Sequence, residues 1–191
     1  MKSLPNYINE KLIVNKNYKP YTYAPKSFDE LGNIVIDRYT KLGPGTKHNP
    51  IDFNDIDVSN LDSFCNNKGK GIFEGTKFKY IDISSWDVSN IKSMYSMFYQ
   101  CEELESVGDL SNWDVSNVML MHTMFSYCSK LKSVGDISKW DVSNVTSMSF
   151  MFQNCNYFNQ DISSWNVSNV RSRVGMFYDC PIKEEYKPKF K

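Results

Sequence analysis

The sequence predicts an α/β repeat fold: a short solenoid with a parallel sheet of one strand per repeat, an N-terminal capping helix and a short C-terminal cap. Three observations carry this expectation. First, the phrase Asp-Val-Ser-Asn plus an apolar residue begins at Asp57, Asp87, Asp114 and Asp141, with a fifth copy at Asn166. The starts are 30, 27, 27 and 25 residues apart, the period of a solenoid. Second, whole columns recur around the phrase: Trp86, Trp113, Trp140 and Trp165 before it, and Met97-Phe98, Met124-Phe125, Met151-Phe152 and Met176-Phe177 after it. Three residues beyond each Phe stand Cys101, Cys128, Cys155 and Cys180. Third, a clear helical pattern lies directly upstream.

Taken in order, residues 1–24 read as an accessory segment. Leu4, Tyr7, Ile8, Leu12 and Ile13 fall near helical spacing and make a candidate docking peptide, followed by a linker rich in Tyr and Pro. Residues 25–50 hold the predicted cap. Ser27 and Glu30 form a capping-box pair, and Leu31, Ile34, Val35 and Leu42 share one face. Gly43 stops the helix, and a Pro-Gly turn follows. Such a cap is required because an uncapped terminal unit exposes apolar core and an unpaired edge.

Residues 51–180 are the repeats, about five units. The stretch Leu131 to Ile137 and its equivalents are expected to be short strands. Val145, Met148 and Met151-Phe152 have the spacing of a helical or 3₁₀ turn. The Asp and Ser of the phrase suit a corner, since both bond nearby backbone amides. The first unit is degenerate, with Phe73 in the Phe column, Thr76 replacing Cys and an insertion around Asn66 to Gly71. Residues 181–191 break the pattern, and Ile182, Tyr186 and Phe190 read as a C-terminal cap.

The full motif, Trp-Asp/Asn-Val-Ser-Asn-apolar-x-x-Met-x-x-Met-Phe-x-x-Cys, resembles the BspA-like leucine-rich repeat family of bacterial surface proteins. The likeness covers roughly residues 51–180. It implies a leucine-rich-repeat-type solenoid without catalytic activity, tied to adhesion or protein binding on surface proteins. Fold-level analogy does not by itself assign a function.

Composition narrows the classes. Lys plus Arg and Asp plus Glu both number 22, so no net field draws nucleic acid or an anionic membrane. No stretch reaches the length of a membrane span. The first ten residues hold no apolar run of the signal-peptide kind, so a cytoplasmic or virion-associated protein is expected over a secreted or cell-surface one. The five cysteines include no Cys-x-x-Cys, which argues against zinc, and the repeated ones read as reduced core thiols.

Little points to chemistry. His48 and His122 are the only histidines, and neither recurs or has a nucleophile beside it, so no catalytic residue is assigned. The ladder Asp82, Asp109, Asp136 and Asp161 has a shape that Ca²⁺ can bridge, but local turn bonds are the preferred reading. The Asn column, Asn60, Asn90, Asn117, Asn144 and Asn169, reads as structural and inward-facing. No cofactor or metal is expected.

What remains is surface that varies between units. Glu103, Glu105, Ser106, Lys130, Lys132, Ser133, Asn159 and Gln160 are the candidate partner-binding residues. Five units stacked at the strand spacing span only about 24 Å, room for a modest interface. The leading expectation is a non-catalytic protein–protein interaction module with an unidentified protein partner. The alternative is a structural accessory of a larger assembly, a phage virion or cell envelope, attached through residues 1–24.

Overall fold

The computed structural model describes residues 21–132 and 134–190. The proposed docking residues Leu4, Tyr7, Ile8, Leu12 and Ile13, and the candidate Ser133, lie outside the described residues.

The upstream helix, α1, spans Phe28–Leu42. Ser27 caps it, its Oγ accepting from the Glu30 N–H at 3.2 Å, while Glu30 accepts from the Lys26 N–H at 2.8 Å. Gly43, at φ 71°, ends it by donating its N–H to the Tyr39 carbonyl. Leu31 and Val35 are buried, whereas Leu42 is exposed, so the apolar face is shorter than the sequence suggested. Arg38 ties α1 to the first repeat. Its Nη2 donates to both carboxylate oxygens of Asp55 (2.6 and 2.8 Å), its Nη1 donates to the Asp52 carbonyl, and the guanidinium lies over the Phe53 ring.

The predicted strand in every repeat does not form. Among the described residues there is one parallel sheet of two two-residue strands, β1 (Ile51–Asp52) and β2 (Ile81–Asp82), paired in register. Further contacts between units are single bridges, such as Ser93 with Leu120 and Leu120 with Ser147. In two of the units the cause lies in the residue before the Asp. Ile51 and Ile81 extend, but the equivalent Gly108 and Gly135 take φ of 88° and 85°, which breaks an extended run. The expected strand-per-repeat solenoid is thus replaced by a repeat array of turns and loops, with a helix and a small sheet at one end.

The predicted helical turn is also absent. Residues 94–101 and their equivalents form consecutive i to i+3 turns, as in Met97 N–H to the Met94 carbonyl and Cys101 N–H to the Phe98 carbonyl. Left-handed residues interrupt them every fourth position: Ser96 and Gln100, Thr123 and Tyr127, Phe150 and Asn154. A helix cannot propagate through such residues.

Successive units are joined all the same. Met121, Thr123, Phe125 and Tyr127 donate N–H bonds of 2.8–3.0 Å to the carbonyls of Ser147, Ser149, Met151 and Gln153. Met94, Ser96, Phe98 and Gln100 do the same toward the next unit, as do Met148, Phe150, Phe152 and Asn154. Inside, the Phe column stacks nearly parallel: Phe73, Phe98, Phe125, Phe152 and Phe177, with centroids 5.2–6.0 Å apart. Past the last unit, Ile182 is buried, and the Tyr186 carbonyl accepts from the Ile162 N–H at 3.0 Å.

Candidate functional site

Most of the recurring polar groups are committed to holding units together. Each Trp indole donates to a carbonyl of the preceding unit: Trp86 to Phe53, Trp113 to Ile83, Trp140 to Leu110 and Trp165 to Ile137, at 2.8–3.3 Å. The thiols do likewise, with Cys101, Cys128 and Cys155 donating to Phe73, Phe98 and Phe125 at 2.9–3.1 Å. All five cysteines are unpaired. Burial pushes Cys101 up to about 12 and raises Cys128 and Cys155 well above the ordinary thiol value, so these sulfurs are thiols rather than nucleophilic thiolates.

The Asn column is structural but not inward. Asn90, Asn117, Asn144 and Asn169 are exposed, and each amide donates to the carbonyl of the phrase Ser one unit back, at 2.7–2.9 Å. In the Asp ladder, each carboxylate accepts from the N–H two residues on, Ser84, Ser111, Ser138 and Ser163, at 3.0–3.1 Å. Hydrogen bonds from Ser138 and Ser163 hold Asp136 and Asp161 below the ordinary carboxylate value of 3.8. No cluster of His, Cys, Asp and Glu suited to a metal ion occurs among the described residues.

The variable residues divide into two groups. In the first, Glu103 pairs with Lys130 at 2.8 Å and Glu105 with Lys132 at 3.2 Å, each across one unit boundary. Tyr80 donates its hydroxyl to Glu105 at 2.6 Å, a partner the sequence reading missed. The Lys130 bond lowers Glu103, the Tyr80 and then the Lys132 bonds lower Glu105, and Tyr80 itself is raised by Glu105. An open groove of about 310 Å³ adjoins this row, lined by Lys47, Tyr80, Glu105, Ser106 and Lys132 among others.

Asn159 and Gln160 do not join that row. Asn159 accepts from the Lys183 N–H at 3.0 Å, and Gln160 donates to the Gly135 carbonyl at 2.6 Å. A second open groove there includes Asp136, Asp161, Ser138 and Ser163.

The sequence reading also passed over an aromatic row on the turns. Tyr95 stacks on His122 at 3.9 Å, Tyr99 meets Tyr127 edge-on at 6.1 Å, and Phe150 and Tyr178 stand exposed further along. Its signal was available, because these residues fill the variable positions beside the Met-Phe column. Tyr95 and His122 share one column, and in-register stacking of units makes them neighbours.

Among the described residues no helix is long and apolar enough to cross a membrane. The family model described as "Mycoplasma protein of unknown function, DUF285" matches residues 52–188. No curated protein and no solved structure matches the chain.

Proposed function

We propose that this chain, which belongs to the DUF285 family, is a non-catalytic protein-binding module whose repeats are of the BspA-like type. The single observation that supports this reading is the division of labour among its polar residues. The recurring Asp, Asn, Trp and Cys groups bond within the repeat array, while the charged row Glu103, Glu105, Lys130 and Lys132 varies from unit to unit and faces outward. Charges already paired across a unit boundary are held in one geometry, which lowers the ordering cost of presenting them to a partner. Alternating signs fit a protein surface of complementary pattern better than a uniformly charged polymer.

The test exchanges the charges while keeping the pair. Glu105→Lys combined with Lys132→Glu retains an ion pair but reverses the pattern offered to solvent. Thermal unfolding is expected to stay near wild type, because exposed pairs contribute only about 0–1 kcal/mol. Capture of the native partner, read by mass spectrometry from the source organism, is expected to fall. Undiminished capture by the double variant removes this face from recognition.

A further inference from the structure

The backbone bonds between the Met-Phe turn runs have a direction. At each of three successive boundaries, four alternate N–H groups of one unit donate to carbonyls of the next. The equivalent donors of the last unit are Arg173, Gly175, Phe177 and Asp179. None of these four N–H groups donates to any group among the described residues. Their carbonyls offer no alternation, since Arg173, Gly175 and Phe177 accept from Met176, Tyr178 and Cys180 at 3.1–3.2 Å within the same turn run. The array therefore ends in a row of donors without intervening acceptors.

A groove of about 450 Å³ lies beside this edge, bounded by Arg173, Phe177, Glu184, Lys187 and Phe190 among others. Phe177, the last ring of the stacked column, is only half-buried. Arg173 stands over the Phe190 ring at 4.6 Å and Lys187 over Phe177 at 5.6 Å. Basic side chains prevail at this end, with Arg171, Arg173, Lys183, Lys187 and Lys189 against Asp179, Glu184 and Glu185.

We propose that the donor edge is a docking site for an acidic segment of a partner polypeptide that takes up the same run of turns as a repeat, so that its backbone carbonyls take the place of a further unit. Carbonyls on alternate residues satisfy the four N–H groups, an apolar side chain covers Phe177, and acidic side chains meet the basic rim. A second copy of this chain does not fit. Tail to tail, donors oppose donors. Head to tail, the edge meets α1, which Arg38, Asp55 and the Tyr39–Phe78 contact at 5.0 Å hold across the first repeat. This inference rests on the protein-binding reading but places contact on a different surface from the charged row.

Amide hydrogen exchange on the full chain tests it. The N–H groups of Phe150, Phe152 and Asn154 are expected to exchange slowly, and those of Gly175, Phe177 and Asp179 fast. A synthetic peptide of residues 146–154 flanked by aspartates is expected to slow the latter three by about tenfold or more. A scrambled peptide leaves them fast, and Arg173→Glu reduces the protection. Three results overturn the proposal: terminal amides already as protected as those of Phe150 and Phe152, no slowing with the peptide, or equal slowing with the scrambled one. Protection that rises with protein concentration alone identifies a second copy as the occupant and overturns it as well. The Glu105–Lys132 exchange leaves this readout unchanged, so failure here does not remove the charged-face reading.

Discussion

His122 concentrates the chemistry of one boundary. Its ring stacks on Tyr95, its carbonyl accepts from the Ser96 N–H, and its Nδ1 is buried with no hydrogen-bond partner among the described residues. Burial holds its pKa below the ordinary 6.5, so the folded state keeps it neutral. A lowered folded pKa means that the unfolded chain takes the proton first. The contribution of His122 is therefore intact above pH 6.5 and is lost as pH falls from there toward the folded value. His122→Phe keeps a ring on Tyr95 and removes the titration. Denaturant unfolding across this range is expected to show a flatter pH dependence for the variant; an unchanged profile assigns the slope to other groups. Asp136, Asp141 and Asp161, held low by bonds from Ser138, Ser143 and Ser163, stabilise above their ordinary 3.8 and lose that effect only in more acid solution. The two windows do not coincide.

At the scale of elements, the residue before the Asp separates strand from turn in four of the five units. Where Ile precedes the Asp, β1 and β2 pair in parallel; where Gly precedes it, the chain turns under the neighbouring Asp instead. A Cβ at Gly135 would lie 1.8 Å from Asp109 Oδ1, the atom that accepts the Ser111 N–H. Gly135→Ala adds a positive-φ penalty to that clash, and its cost is expected to be about 2–4 kcal/mol. Equilibrium denaturation measures it directly. A loss below about 0.5 kcal/mol means that the loop shifts freely and that the glycine is not what bars the strand. The neighbouring turn runs follow the same logic: at the three inner boundaries the left-handed Ser, Thr, Asn, Gln and aromatic residues each donate their N–H to the next unit, which helps to hold a conformation such residues rarely adopt.

For the molecule as a whole, stacked columns make the interior one continuous body from Leu31 to Ile182. Cys101, Cys128 and Cys155 sit inside it with raised pKa values, whereas Cys65 is half-buried and outside the ladder. A water-soluble thiol reagent is expected to label Cys65 well before these three, which should react only as the array opens. Mass spectrometry of partially labelled protein reads the order. Early labelling of Cys128 contradicts a closed interior. Because each unit bonds only to its neighbours, opening is expected to begin at an end.

The repeat, its columns, the capped helix and the commitment of Trp, Cys and Asp to structure were all legible in the residues alone, because these features depend on local periodicity and on side-chain chemistry. The pairing of Glu103 with Lys130 and Glu105 with Lys132 was nearly so, since both pairs occupy variable positions 27 residues apart, close to one repeat. Three things were decided only by the tertiary structure. Gly108 and Gly135 adopt left-handed φ and prevent a strand in every unit. The Met-Phe segments run as turns, because hydrogen bonds to both neighbouring units outweigh helical spacing. The Asn amides point outward along the array, where the acceptor is a carbonyl one unit back rather than a group in the core. The acceptors that decide the second and third cases lie about 25 to 30 residues away, beyond the reach of any local pattern, whereas the glycines act through their own backbone conformation.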